Sequence, residues 1–349
     1  MGIYCRLHAV SARRGVKALV FRHDAFSASG ASVGSSDKLE TLPPVPLERV
    51  KDAVRTIFST ATDDYAARRA AMTVLEAADM YCTPEEYTAF YTAGLDLKPD
   101  EIARAVENQP ILYFYESAFD KVRRELESTV VAPDTAILWH VYNMGYIIKT
   151  EKACFALDLH HRRSEELIPL LDFLVVTHDH TDHKTARLLD GFAKTGKPII
   201  SNFYPHTGYS TTPRTLTLGS VSLHTCITDH NRKLLSFVQP CEIEIPTCSG
   251  KIVIFTGGDT FDPAQFRMHN PEVDAFIVHP RVGLIVTEAQ KIVNPRLTLI
   301  SHLLEMHHYF NQWRWSYDVG FNELAKSRAN GRAAAIPMWG DRIVLKPKN

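Results

Sequence analysis

The sequence predicts an α/β fold: a two-sheet core with helices outside, preceded by a purely helical section. Three observations point to it. From about residue 132, short β-rich runs alternate with Gly, Pro and Asp breaks. Within that region the strands come first as hairpins and then alternate with helical segments, a pattern suited to sheets covered by helices. Residues 47 to 129, by contrast, carry only helical periodicity.

Taken in order, residues 1 to 23 hold Arg6, Arg13, Arg14, Lys17 and Arg22 with no acid, and "SASGASVGSSDK" follows. Such a composition suits an organellar transit peptide and equally a disordered tail. A disordered tail over 1–40 and a cytoplasmic location are the expectation, with organellar targeting as the alternative. "TLPPVP" then opens a helical extension over 41–132. In "PLERVKDAVRTIFST", Leu47, Val50, Val54, Ile57 and Phe58 recur at helical spacing. "DDYAARRAAMTVLEAADMY" is rich in helix formers, and "TPEEYTAFYTA" opens with a Thr-Pro-Glu-Glu start signal. "KPDEIARAVENQ" and "YESAFDKVRRELEST" read as two more helices. No metal-binding or nucleophilic cluster falls in this section, so its expected roles are packing on the catalytic unit, homo-oligomerisation or narrowing a pocket.

The remaining domain, 133–349, supplies the strands "AILWHVYNMGYIIKT", "KACFALDL", "LDFLVVT", "KPIISN", "LTLGSVSLHTCIT", "CEIEIPT", "KIVIFTG", "DAFIVHP" and "RLTLISH". Helices are expected at "TARLLDGFAKTG" and "VTEAQKIVN". Of the 16 histidines, 14 lie at or beyond His140, where an even spread would place about ten. The chemistry therefore belongs to this part.

With 349 residues, one large domain plus an appendage is expected. A net charge of −1 gives no reason to expect nucleic-acid or membrane-surface partners. The six scattered cysteines form no C-x-x-C pair and read as reduced, buried thiols. No uninterrupted apolar run approaches a membrane span.

"VVTHDHTDHKTARLL" packs His178, His180, Asp182 and His183 directly behind an apolar strand. In extended backbone, residues two apart project to one side, so His178 and His180 can grip one ion. The loop then turns, and Asp182 and His183 can face a second. Imidazole and carboxylate suit zinc, with iron or manganese as alternatives. Asp179 lies on the opposite side and reads as solvated. A purely structural zinc site would be cysteine-rich and closed, unlike this one.

The H-x-H-x-D-H pattern resembles the metallo-β-lactamase superfamily, and further stations follow in order. "ACFALDLH" supplies Asp158, "SLHTCITDHN" His230, "KIVIFTGGDTF" Asp259 and "NPRLTLISH" His302. Roughly residues 136 to 345 are covered. Within the superfamily, "LWHVYNMGYIIKT" and "DAFIVHPRVGLIVTEAQKIVNPRLTLISH" look closest to the ascorbate-phosphate lactonase-like group of metal-dependent hydrolases. The chain departs from it at "HPRVG", and Glu305, His307 and His308 after His302 leave the register of the last ligand open.

The resemblance implies a four-layer αβ/βα sandwich with two divalent ions, zinc foremost, at one edge. It implies His178, His180 and His230 on one ion, and Asp182, His183 and His302 on the other. Asp259 would bridge, and Asp158 would buttress the loop. A dinuclear hydrolase follows, in which a bridging hydroxide attacks an ester, lactone or phosphodiester and Asp182 aims it. An anionic small metabolite is the expected substrate. His279, His307, His308 and Tyr309 are candidates for serving the leaving group, His279 being the preferred catalytic partner of Asp182. His224, inside an apparent strand, reads as structural. The alternatives are a nuclease or phosphodiesterase acting on RNA or cyclic nucleotides, an iron-dependent redox enzyme, and a non-catalytic metal-binding scaffold.

Overall fold

A computed structural model describes residues 44–280, 283–309 and 313–347. The tail expected over 1–40 lies outside them. Five helices come first: α1 (Leu47–Ser59), α2 (Tyr65–Tyr81), α3 (Pro84–Ala93), α4 (Pro99–Asn108) and α5 (Ile111–Ser128). In α1, Val50, Val54 and Ile57 are buried, as their spacing predicts. The Thr-Pro-Glu-Glu signal starts α3 through a capping box. Thr83 Oγ1 accepts the Glu86 N–H at 3.2 Å, and the Glu86 carboxylate accepts the Thr83 N–H at 3.0 Å.

The strands that follow are β1 (Ala136–Tyr142), β2 (Gly145–Lys149), β3 (Cys154–Leu157), β4 (Phe173–Val175) and β5 (Ile199–Ile200). Next come β6 (Arg214–Leu218), β7 (Val221–Thr225), β8 (Cys241–Pro246), β9 (Lys251–Thr256), β10 (Ala275–Val278) and β11 (Thr298–Ile300). The chain closes with β12 (Ala334–Ala335) and β13 (Arg342–Leu345), and α6 (Ala186–Thr195), α7 (Val286–Val293) and α8 (Tyr317–Ala329) lie among the strands. One sheet has the order β13-β1-β2-β3-β4-β5 and the other β12-β11-β10-β9-β8-β7-β6.

Period-2 alternation divides each strand between two cores. Leu138, Tyr146, Ile148, Phe155, Ile243, Ile254 and Ile277 fill the space between the sheets. Trp139, Ile147, Val253, Phe255 and Phe276 point the other way, into the core shared with the helices. Strands buried on both faces need helices on both outer sides, and α5 and α6 pack on the first sheet while α8 packs on the second. The expected α/β sandwich is present.

The helical section and the sandwich fold as one unit, Val45–Asn349. Buried Arg68 on α2 makes a two-point pair with Asp341, at 2.7 and 2.9 Å, just before β13. Cys82, Cys154, Cys226 and Cys241 are buried free thiols, and Cys248 is exposed. Among the described residues, no helix is long and apolar enough to cross a membrane.

Topology places the site. Strands β3, β4 and β5 run parallel, as do β9, β10, β11 and β12. Parallel strands deliver their C-terminal ends to one edge, the usual location of a ligand site in such sheets. Asp158, His178, Asp259, His279 and His302 all lie just past those ends.

Candidate metal centre

Two imidazoles of the histidine loop, His178 and His183, have a partner on the far nitrogen. The Thr177 hydroxyl donates to Asp158 Oδ2 at 2.8 Å, so its oxygen is free to accept from His178 Nδ1 at 3.0 Å. That leaves His178 Nε2 facing inward, 3.1 Å from His180 Nδ1. Asp158 also accepts the Thr177 N–H at 2.7 Å and lies 3.1 Å from His183 Nδ1. His183 Nε2 is thereby turned to the cage, 3.6 Å from both Asp182 Oδ2 and Asp259 Oδ1. His230 Nδ1 meets the Asp259 carbonyl at 3.0 Å, which frees its Nε2. Its ring centroid is 4.6 Å from that of His180. Such outer partners fix the tautomer a metal ligand needs.

Asp259 stands in the middle. Its Oδ2 is 3.6 Å from His178 Nε2, while its Oδ1 faces His183 and His279. Gly258, at φ +52°, makes this approach possible: a Cβ there would come within 2.9 Å of Thr177 Cβ. His302 Nε2 lies 3.0 Å from Asp182 Oδ2, and Asp179 is exposed and pairs with Lys184 at 2.8 Å. All seven sequence-predicted ligands therefore converge.

His279 arrives too and lines the cavity onto which the cage opens. Its Nδ1 is 3.1 Å from Asp259 Oδ1, its ring lies flat on His302 at 3.8 Å, and it is only 2% exposed. His224 is remote from the cage, bonded to Thr215 and Glu244 and stacked on His269. His307 and His308 both bond to Glu305, while Tyr309 is exposed and donates to Glu85 on α3.

One residue escaped the sequence reading, and the sequence singles out Glu305 only for the register of the last ligand. Fully buried Asn143, in the turn between β1 and β2, donates to the Asp182 carbonyl at 2.9 Å and to its Oδ2 at 3.1 Å. Fully buried Glu305 sits close to Asp182 and His308. Asn143, Asp158 and His302 all adopt positive φ, at 55°, 41° and 60°. Left-handed backbone at non-glycine residues is characteristic of sites where the surroundings impose it.

The donor set fits divalent ions. Buried His183 Nε2, Asp259 Oδ1, His279 Nε2 and His302 Nδ1 have no hydrogen bond of acceptable geometry, which is costly unless something else satisfies them. Burial, reinforced by the neighbouring His183, holds His178 well below the usual imidazole range. Burial and His230 lower His180 to about 4, and burial and His302 lower His279 to about 4. Burial opposes ionisation of Asp182, yet His183 and His302 hold it well below the usual range. Burial likewise opposes ionisation of Asp259, where His279 and His183 prevail. Burial disfavours a charged His183, but Asp182, Asp259 and Asp158 drive its pKa well up. The bare cage is thus rich in negative charge and calls for cations.

The cage opens into a cavity of about 250 Å³ that also meets Asn231, Leu234, His308 and Trp313. None of its described lining residues is lysine or arginine.

No protein-family model matches this chain, nor does any curated protein. Among solved structures it is similar to Igni18, a metallo hydrolase from Ignicoccus hospitalis KIN4/I, at 15% identity over 61% of this chain and 100% of that one, with a TM-score of 0.47. An isothiocyanate hydrolase from Delia radicum gut bacteria matches at 14% identity, covering 60% and 99%, with a TM-score of 0.42. CmlA, a diiron β-hydroxylase from Streptomyces venezuelae, matches at 12%, covering 62% and 55%, also with a TM-score of 0.42. At such identities and TM-scores these likenesses say nothing about activity. Its own strand order makes the chain a two-sheet α/β sandwich, with the H-x-H-x-D-H residues gathered at one edge.

Proposed function

We propose that the chain is a dinuclear metal-dependent hydrolase that cleaves an ester, lactone or phosphodiester bond in a small anionic metabolite. The observation that carries this reading is Asp259, whose two oxygens face separate imidazole groups. His178, His180 and His230 would hold one ion, and Asp182, His183 and His302 the other, with Asp259 shared. Zinc suits this donor set, with manganese or iron as alternatives. Two such ions would supply the Lewis acidity that acidifies a water near neutral pH and offsets charge developing on the substrate oxygen.

The protein's own groups do the rest. Asp182 Oδ2, steadied by Asn143 and His302, is placed to accept a hydrogen bond from the attacking oxygen and aim it. His279 holds Asp259 Oδ1 and packs His302, keeping the carboxylate in register. Trp313 and Leu234 give the opening apolar walls that limit water. The ions themselves would attract an anionic substrate, because no described lysine or arginine lines the cavity. The sequence pattern favours an ascorbate-phosphate lactonase-like chemistry within this class.

A panel of lactones, carboxylic esters and bis-p-nitrophenyl phosphate, assayed with zinc-, manganese- or iron-loaded protein, tests the reading. Metal-dependent hydrolysis of at least one class is expected. Asp182→Asn should depress it at least about a hundredfold, with kcat carrying the loss. A fully metallated protein inert toward the whole panel contradicts the reading.

A further inference from the structure

Hydrolysis of an unactivated ester leaves an alkoxide that needs a proton, and none of the seven cage ligands is free to give one. Past His302, the chain makes a second polar cluster, in which Glu305 and His308 come within 4.8 Å of Asp182. Glu305 is fully buried and collects four donors. The Tyr142 hydroxyl (3.1 Å), the His307 N–H (2.9 Å) and His307 Nδ1 (2.9 Å) meet Oε1, and His308 Nδ1 meets Oε2 at 2.6 Å. A carboxylate so placed orients an imidazole, much as the acid of a catalytic triad does.

We propose that His308 is the catalytic acid that protonates the leaving group, with Glu305 as its positioning residue. His308 lines the same cavity as Asp182, His279 and His302, and its side chain is 35% exposed. With Nδ1 engaged by Glu305, Nε2 is the nitrogen left to meet a substrate. As the new bond from water oxygen to the acyl carbon or phosphorus forms, the bond to the leaving oxygen breaks and its electron pair stays on that oxygen. The oxygen takes the Nε2 proton, His308 becomes neutral, Glu305 stays ionised, and solvent returns the proton after product leaves. The proposal rests on the hydrolase reading.

The cluster is also what the helical extension reaches. Tyr87 and Tyr91 of α3 pack edge-on against His307, at 4.7 and 5.2 Å between ring centres. Buried Arg314 donates to the Glu305 and Met306 carbonyls and, across the interface, to those of Asp79 and Cys82. The extension thus braces the segment that carries the acid.

The experiment compares His308→Gln and Glu305→Gln with the wild type on a p-nitrophenyl ester and the alkyl ester of the same acyl group, with metal content measured alongside. On the alkyl ester, whose leaving group needs a proton, His308→Gln should lose at least about a hundredfold in kcat, within the usual range for general acid catalysis. On the p-nitrophenyl ester, a good leaving group unaided, it should lose only a few-fold. Glu305→Gln should show the same split to a smaller degree, which a merely structural role would not produce. Equal losses on both esters overturn the proposal, and a parallel fall in metal content would make His308 a ligand instead. An unchanged alkyl-ester rate overturns it as well. Wild-type hydrolysis without a leaving-group split defeats this proposal alone, whereas a wild-type protein inert on every ester and phosphodiester defeats the hydrolase reading with it.

Discussion

Asp158 Oδ2 lies 3.1 Å from His183 Nδ1, with both side chains fully buried and Asp158 held at a positive φ of 41°. The carboxylate also accepts the Thr177 N–H and hydroxyl, so one residue at the end of β3 sets the geometry of the loop after β4. Asp158→Asn removes no ligand, yet it loosens both the His183 tautomer and the loop. Metal affinity should fall about 10- to 100-fold, the usual cost of losing an outer partner. A chelator competition titration measures it, and an unchanged affinity would show that the pair is only structural.

His230 and His224 make a paired test of which histidine beside β7 serves the cage. His230→Ala should lose metal from one position, because its ring stands beside His180. His224→Ala should keep full metal content and cost only about 1 kcal/mol of stability, for its lost bonds to Thr215 and Glu244. Metal loss in the His224 variant alone would reverse the assignment.

Glu76 offers a test on pH. Burial raises its carboxyl to about 7 despite the Tyr317 N–H it accepts at 2.8 Å, and Asp318 and Asp79 add to the rise. A carboxyl whose pKa is raised in the folded state favours folding where it is protonated. That contribution is complete below the unfolded value near 4.5 and fades as pH rises through about 7. Glu76→Gln keeps a neutral acceptor at every pH. Its melting temperature should match the wild type near pH 4.5 and exceed it at pH 8, by roughly 1–3 kcal/mol of stability at ~1.4 kcal/mol per pKa unit. A difference that does not change with pH would contradict it.

The cage was legible because its ligands sit at fixed offsets behind apolar strands, and parallel strands bring such ends together whatever lies between them. Asn143 left no comparable mark, being a lone polar residue whose meaning depends on Asp182, far along the chain. Glu305 stands out in sequence beside His307 and His308, but its burial and its bond to Tyr142 do not. Helix α8 also escaped, since Gly320 interrupts its pattern; a Cβ there would press to 2.7 Å from Leu303 Cδ1, so packing and not propensity places it. Strand β12 has only two residues, too short for any periodicity.

Two ions sharing Asp259 are the centre of this reading, and metal content per folded chain measures them most directly. Protein prepared without chelators, or reconstituted with zinc, should carry close to two divalent ions per chain. Asp259→Asn should lower occupancy at both positions together, because its Oδ1 and Oδ2 face different imidazoles. A wild-type chain that takes up no transition metal, or an Asp259→Asn protein that keeps two, would contradict it.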